Sequence, residues 1–173
     1  MERDSKQFYQ KLNYKASEEF ILGIKKVIDS SPLWEISYQF HRTYIPMSVL
    51  KIDPFVFGIV SNFNSYMRAS IFRFDINTAV PWHTDIPRNC AVNMLVSGLD
   101  SLCLFAEDSK EGAILENVTS LEYEPRLFYA FNAEKKHSII NFSETRYLVS
   151  LGLPPEVRYN NLVSYMEKNN YIS

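Results

Sequence analysis

The stretch that decides the fold is 74–85, FDINTAVPWHTD, which ends in the tripeptide His83-Thr84-Asp85. Side chains alternate along an extended strand, so His83 and Asp85 share one face while Thr84 points away. An imidazole and a carboxylate on one face can bind the same metal ion. By itself the tripeptide is weak evidence, because it also arises by chance in surface histidines and turn aspartates. A functional metal site needs a further ligand, and we expect it from another strand.

The third ligand is predicted at His137, which opens the strand-like segment HSIINF. The chain has only three histidines, and the remaining one, His41, follows the strand-like LWEISYQF where nothing nearby completes a site. Two imidazoles and one carboxylate on one face of an octahedron leave open positions, as in non-haem Fe(II) oxygenases. Arg146 opens the next strand-like segment, RYLVSL, and a guanidinium suits a carboxylate through two parallel charge-assisted hydrogen bonds. We interpret these residues as three metal ligands and an anchor for a carboxylate-bearing cosubstrate.

This ordered set resembles the signature of Fe(II)- and 2-oxoglutarate-dependent oxygenases. The segments PWHTDIPRNCAVNMLV and FNAEKKHSIINFSETRYLVSL are similar to small microbial and phage members related to aspartyl/asparaginyl and prolyl hydroxylases. The resemblance spans residues 66–153. It implies Fe(II) bound by His83, Asp85 and His137, with O2 and 2-oxoglutarate as cosubstrates and the distal carboxylate of 2-oxoglutarate on Arg146. The activity it implies is hydroxylation of an amino-acid side chain of a protein or of a small molecule.

The predicted fold class is mainly β with flanking helices, arranged as a double-stranded β-helix (jelly roll). One domain, 1–173, is expected from the chain length, with a mixed helical support region over 1–65. Residues 66–153 contain about eight extended segments joined by turns, one of them a polar hairpin around Gly112. A short amphipathic helix is expected within 154–173.

The N-terminal region carries weaker signals. Residues 1–16 are polar and are expected to be loosely ordered or a short helix. Ser17 followed by two acids predicts the start of a helix with an apolar stripe. Residues 45–65 fit either helix or strand, with a break at Asp53-Pro54.

Five further polar residues are candidates for contacts within the site. Arg68 and Arg73 lie on the extended ribbon before the metal motif, where each either holds a carboxylate or is solvated. Arg88 follows Asp85 by three residues and is expected to contact substrate or cosubstrate at the barrel mouth, the alternative being a solvated loop arginine. Asn93 lies in an apolar strand and either touches the cosubstrate or satisfies a neighbouring strand. Asn141 either orients the site from behind the ligands or caps a turn.

The composition of the chain limits the binding partners and the cellular location that we expect. The net charge of −2 gives no attraction to nucleic acid or anionic membranes, so a nucleic-acid partner is not expected, and only a single-stranded or nucleotide substrate held by aromatic stacking stays open. The resemblance implies a small molecule or a polypeptide as the substrate. No apolar run reaches membrane-spanning length. Cys90 and Cys103 are too few for a disulfide framework and are read as small buried hydrophobes. A reducing, cytoplasmic location is the corresponding expectation.

Three other functions fit the same motif. A cupin-type metal enzyme that does not use 2-oxoglutarate has a similar barrel, although such sites usually contain more histidines. A non-catalytic jelly-roll binding module would carry the tripeptide by coincidence, and an inactive relative would keep a regulatory role. Substrate loops diverge on a shared barrel, so the motif leaves the substrate class open.

Overall fold

The structure, a computed structural model, describes residues 5–30, 33–37, 39–109 and 114–172. Its strands, β1 to β11 in chain order, are Tyr9–Lys15, Glu35–Ser37, Phe40–Tyr44, Ala69–Phe74, Thr78–His83, Cys90–Ser97, Ser101–Asp108, Leu115–Ser120, Leu127–Asn132, Lys136–Asn141 and Arg146–Gly152. Its helices, α1 to α4, are Glu18–Ser30, Met47–Leu50, Pro54–Asn62 and Tyr159–Lys168. Single 3-10 turns, Ser5–Gln7 and Tyr66–Arg68, precede β1 and β4.

The strands form two antiparallel sheets. The larger has the order β1-β9-β6-β11-β4-β3-β2, and the smaller has the order β5-β10-β7-β8. The eight strands from β4 to β11 divide evenly between the two sheets and form a jelly roll. The predicted double-stranded β-helix is therefore confirmed, as are the eight extended segments within 66–153.

Two apolar cores hold the layers together. One fills the space between the two sheets and includes Phe74, Phe105 and Leu148. The other lies between the outer face of the larger sheet and the helices, with Phe20 of α1 and Leu162 of α4 among its members. Burying each such side chain contributes about 1.5–3 kcal/mol. The helices therefore stabilise the larger sheet from its outer face, and the inner face of the same sheet carries part of the site.

The N-terminal segment differs from its prediction as a loose or helical stretch. Tyr9–Lys15 is instead an edge strand, β1, which pairs antiparallel with β9. Phe8 and Leu12 are buried there, and their burial against a sheet formed far along the chain fixes the segment. The predicted helix start is confirmed, because the Ser17 hydroxyl accepts a hydrogen bond from the Phe20 amide at 3.2 Å.

The segments before β4 include one strand-like prediction and one that was open between helix and strand. LWEISYQF contributes to a hairpin of β2 and β3, which extends the larger sheet at one edge. Residues 45–65 contain the helices α2 and α3, and Asp53 is the N-cap of α3, accepting bonds from the amides of Phe55 and Val56 at 3.0 and 3.1 Å. The break at Asp53-Pro54 is therefore a helix start.

The C-terminal helix expected from sequence is present as α4, with Leu162 and Met166 buried against the larger sheet. The hairpin predicted around Gly112 corresponds to the pairing of β7 with β8, and Gly112 itself lies outside the described residues. None of the helices in the described ranges has the length and apolar character needed to cross a membrane.

Candidate metal centre

The three predicted ligands meet where β5 ends and β10 begins. His83 is the last residue of β5 and pairs directly with His137 of β10. The Asp85 amide donates to the Ala133 carbonyl at 3.0 Å, which holds the chain beyond β5 against the turn before β10. One ligand atom from each of His83, Asp85 and His137 lies within 4.8 Å of the other two, so the cluster could hold a metal ion.

Both imidazoles present the same nitrogen to this cluster. Nδ1 of His83 lies 2.8 Å from the Pro81 carbonyl, and Nδ1 of His137 lies 2.9 Å from the Lys135 carbonyl. A carbonyl only accepts, so each Nδ1 carries the proton and each Nε2 keeps its lone pair. The two Nε2 atoms lie 3.6 and 3.9 Å from Asp85 Oδ1. This tautomer and orientation suit metal ligation.

The electrostatic environment sets the protonation states that a metal needs. Burial alone would raise the pKa of Asp85, yet the Arg88 guanidinium and the two neighbouring histidines outweigh it and lower that pKa. Burial lowers the pKa of His137 to about 4, against the attraction of Asp85. The Asp85 carboxylate raises the pKa of His83. At neutral pH the site therefore holds an ionised carboxylate and a neutral His137, both of which can donate a lone pair.

Arg88 binds the Asp85 carboxylate from the side opposite the histidines. Its Nε donates to Asp85 Oδ2 at 3.1 Å, its Nη2 donates to the same oxygen, and its Nη1 donates to the Ser150 hydroxyl at 2.9 Å. Arg88 lines the cavity that contains the cluster, and each of its three nitrogens donates to a protein group. It is suited to orienting Asp85, leaving Oδ1 for the cluster.

Arg146 is 1% exposed and lies deeper in the same cavity. Its Nη1 donates to the Ser101 hydroxyl at 2.9 Å, while Nε and Nη2 have no hydrogen-bond partner among the described residues. Its guanidinium carbon lies 5.2 Å from the ring centre of Tyr123 and 5.7 Å from that of Phe74. A buried guanidinium with unpaired donors is costly, so this arrangement favours an anionic ligand.

Two more polar atoms face the same space. The Tyr123 hydroxyl and Asn93 Oδ1 are buried without a hydrogen-bond partner in the described part of the chain. Asn93 shares the inner face of the larger sheet with Leu95. Tyr123 was not predicted, because it lies in the connection between β8 and β9 with no motif around it. The cavity between Arg146 and the cluster is lined by Phe40, Phe72, Phe74, Val80, His83, Asp85, Arg88, Asn93, Cys103, Tyr123, Phe131, His137, Ile139, Arg146 and Leu148.

Two other candidates lie away from this cavity. Arg73 sits between the inward-facing Phe72 and Phe74 on β4, so its side chain points to the opposite face and pairs with Asp75 at 2.8 Å. Of the two roles considered for Arg73, this contact favours the outward-facing one. His41, which was not expected to be a ligand, lies on β3, and its Nε2 is 3.2 Å from the same Asp75 carboxylate.

Asn141 shares a strand with His137 but serves the turn at its far end. Its Nδ2 donates to the carbonyls of Phe74, Asp75 and Glu144 at 3.2, 2.8 and 2.8 Å. Of the two roles considered for Asn141, these bonds favour capping the turn.

No protein-family model and no curated protein matches this sequence. The fold, in contrast, is similar to many solved structures. A prolyl hydroxylase from Trichoplax adhaerens, in complex with a hypoxia-inducible-factor peptide, has a TM-score of 0.63 and 11% identity over 90% of this chain and 86% of that one. A prolyl-4-hydroxylase from Pseudomonas putida has a TM-score of 0.60 and 8% identity over 87% and 94% of the two chains.

A third similar structure is HygX from Streptomyces hygroscopicus, with nickel, 2-oxoglutarate and hygromycin B bound. Its TM-score is 0.59 and its identity is 8%, over 90% of this chain and 86% of that one. These identities are low, so the similarities establish the architecture. The chain shares the jelly-roll fold of these solved structures, and its His-Asp-His cluster lies where β5 ends and β10 begins.

Proposed function

We propose that the protein is a cytoplasmic Fe(II)- and 2-oxoglutarate-dependent dioxygenase that hydroxylates an amino-acid side chain or a small molecule. The observation that carries this proposal is the buried guanidinium of Arg146, whose unpaired nitrogens share one cavity with the His83, Asp85 and His137 cluster. A metal site and a carboxylate site in one cavity are what a chelating keto acid with a second carboxylate requires.

The cluster fits Fe(II) by its donor set. Two imidazole nitrogens with their lone pairs available and one ionised carboxylate match the two-histidine, one-carboxylate group that binds non-haem Fe(II) and leaves positions open. His83, Asp85 and His137 would therefore hold the metal. When bound, Fe(II) supplies the activation of O2, coupled to the oxidative decarboxylation of 2-oxoglutarate to succinate and carbon dioxide.

The inner part of the cavity fits 2-oxoglutarate by charge and hydrogen bonding. Arg146 would pair with the distal carboxylate through Nε and Nη2, the two nitrogens that lack a partner in the described residues. The Tyr123 hydroxyl is available to donate to the same carboxylate. Apolar walls from Val80, Ile139 and Leu148 exclude water, which strengthens the ion pair.

The protein's own part in the reaction is to hold and orient. Arg88 keeps Asp85 Oδ2 occupied, so that Oδ1 faces the two Nε2 atoms. The carbonyls of Pro81 and Lys135 fix the histidine tautomers. These contacts place the donors before any ligand arrives, which reduces the reorganisation that binding would otherwise cost.

A cupin-type metal enzyme without 2-oxoglutarate is the main alternative. Such an enzyme explains the cluster but gives no reason for a buried, partly unpaired Arg146. A binding module without metal explains neither feature. Two of the similar structures contain bound ligands, a peptide in one and hygromycin B in the other, and these support both a polypeptide and a small molecule as substrate classes.

The test separates the metal site from the carboxylate site. His83→Ala should abolish stoichiometric Fe(II) binding, measured anaerobically by calorimetry, while His41→Ala, the matched histidine outside the cluster, should keep it. Arg146→Met should bind Fe(II) normally but bind 2-oxoglutarate at least roughly tenfold more weakly, because charge-assisted hydrogen bonds are lost. Normal metal binding by His83→Ala, or unchanged 2-oxoglutarate affinity in Arg146→Met, would contradict the assignment.

A further inference from the structure

A second, more open cavity of about 460 Å³ adjoins the candidate metal centre. Its floor is formed by β3 and β4, next to the edge strand β2 of the larger sheet, and the segment Asp85–Arg88 lies on its other side. Phe40, Phe72, Asp85 and Arg88 line both this cavity and the inner one. A molecule in the outer cavity therefore reaches the His-Asp-His cluster directly. Its volume is that of a small-molecule site.

The charge of this cavity differs from that of the whole chain. Three arginines line it, Arg42, Arg68 and Arg88, with Asp85 as its one acidic lining residue in the described ranges. The chain as a whole carries a net charge of −2. Positive side chains are therefore concentrated next to the metal centre.

Two of the three arginines are already neutralised. Arg42 donates to Glu35 at 2.6 Å, and Arg88 is bound to Asp85. The guanidinium of Arg68 makes no ion pair or hydrogen bond to any residue within the part of the chain that is described. Arg68 is thus the cation available to a ligand.

The backbone of Arg68 packs closely against Gly152. It ends the 3-10 turn before β4, where its carbonyl and Cβ lie 3.4 and 3.5 Å from the point that a Cβ on Gly152 would occupy. The Cδ of Arg88 lies 3.2 Å from the same point. The absence of a side chain at Gly152 thus lets Arg68 and Arg88 come together beside the metal centre.

The rest of the cavity is aromatic and apolar. The Phe40 and Phe72 rings lie 5.1 Å apart, and Tyr44 forms a further wall under the Arg42 guanidinium. At the rim, the apolar side chains of Met67 and Ile86 are 82% and 89% exposed. This surface is suited to the flat or apolar body of a ligand.

We propose that this cavity binds the substrate, and that the substrate is a small molecule with an apolar or aromatic body and a carboxylate or phosphate group recognised by Arg68. That the bound molecule is a substrate rests on the proposed function. That the cavity binds such a molecule does not. The anionic group would pair with Arg68, the apolar body would pack on Phe40 and Phe72, and the reacting carbon would face the cluster.

The test uses metal-free protein, so that it does not depend on turnover. Phenyl phosphate, benzoate and the neutral benzyl alcohol are titrated into 15N-labelled protein, with amide shifts of residues such as Phe72 and Ile86 as the readout. We expect at least one anionic probe to bind about tenfold more tightly than benzyl alcohol and to weaken in 0.5 M salt. Whether phenyl phosphate or benzoate binds more tightly identifies the anionic group.

Variants identify the residue responsible. Arg68→Gln should remove the preference for the anionic probe, and Arg158→Gln, an exposed arginine outside the cavity, should leave it intact. Equal binding of benzyl alcohol, an unchanged preference in Arg68→Gln, or no binding of any probe would overturn the proposal. The two proposals can fail separately. If the protein prefers the anionic probe but its Fe(II)-loaded form does not bind 2-oxoglutarate, the proposed reaction is contradicted and the proposed binding site is still supported.

Discussion

Arg88 and Asp85 form an ion pair that divides the Asp85 carboxylate between two tasks. Oδ2 accepts from Nε and Nη2 of Arg88, whereas Oδ1 faces the Nε2 atoms of His83 and His137 at 3.6 and 3.9 Å. An unrestrained aspartate would rotate and present either oxygen. The guanidinium therefore selects one rotamer of the proposed ligand before the metal binds.

If Arg88 acts by positioning, charge alone will not replace it. Arg88→Lys keeps the positive charge but loses the fork of donors, and we expect it to weaken Mn(II) or Fe(II) binding by about tenfold, in the range seen for groups that orient metal ligands. Arg158→Lys is the surface control. Titration calorimetry under anaerobic conditions measures both. Wild-type affinity in Arg88→Lys, with tighter binding in Arg88→Gln, would mean that Arg88 acts only through its charge.

The absence of a side chain at Gly98 allows the backbone at this position to lie close to Arg146. Its φ is +93°, and a Cβ added there would lie 2.4 Å from the Arg146 Cα. Gly98→Ala should lower the free energy of unfolding by about 2 kcal/mol or more and lower Tm by roughly 4–8 °C.

Gly58 provides the matched control for this variant. It lies within α3, and a Cβ added there meets nothing within 4 Å. Gly58→Ala should therefore stabilise the fold by about 0.5–1 kcal/mol, because alanine is the better helix former. Thermal and urea denaturation compare the two variants. Equal stability of Gly98→Ala and wild type would show that the loop around Gly98 adapts easily.

Tyr123 is predicted to share the 2-oxoglutarate carboxylate with Arg146. Tyr123→Phe removes only the hydroxyl, so the ring contact with the Arg146 guanidinium is kept. We expect about tenfold weaker binding of 2-oxoglutarate, without loss of metal binding. Tyr129→Phe is the control, since its hydroxyl bonds the backbone of Glu122 and Glu124. Equal 2-oxoglutarate affinities in the two variants would remove Tyr123 from the proposed site.

The sequence predicted the two-sheet barrel and the cluster because their signals are local. Histidines are rare in this chain, and two of them flank strand-like segments that a jelly roll brings together. The alternation in Phe72-Arg73-Phe74 also indicates the direction of the Arg73 side chain. The two phenylalanines face inward, so the arginine between them must face outward.

Other features depend on contacts that no local pattern reveals. β1 is ordered by pairing with β9, more than a hundred residues away. Tyr123 reaches the cavity from an irregular connection, where neither period two nor a motif marks its direction. The unpaired state of Arg146 likewise depends on what surrounds it, which the sequence alone does not show.

The two thiols are predicted to be unreactive in the folded protein. Burial raises the pKa of Cys90 to about 12 and that of Cys103 to about 11. Free thiols ionise near pH 8.5, so at pH 8 the folded protein holds almost no thiolate, whereas the unfolded chain does. Iodoacetamide at pH 8 should label neither residue until guanidinium is added, as judged by peptide mass spectrometry. Rapid labelling of either thiol in the native state would contradict their described burial.

The same shifts give a pH dependence of stability. Because the folded pKa values lie above the unfolded ones, the thiols contribute stability that is fully present below about pH 8.5. That contribution is lost as pH rises toward 11 and 12. Replacing both cysteines with alanine should therefore flatten the fall in urea midpoint between pH 8 and pH 10. If the urea midpoint of the double variant falls with pH as steeply as that of the wild type, groups other than the two thiols cause the fall.

The most direct test of the central claim is an anaerobic titration of metal-free protein with Fe(II), then 2-oxoglutarate, followed by visible absorption. We predict a weak charge-transfer band that requires both additions, saturates at one equivalent of each, and is absent in His83→Ala. Stoichiometric Fe(II) binding without the band would contradict the assignment of 2-oxoglutarate and favour a metal enzyme that does not use it. Failure to bind Fe(II) in a defined ratio would contradict the metal centre itself.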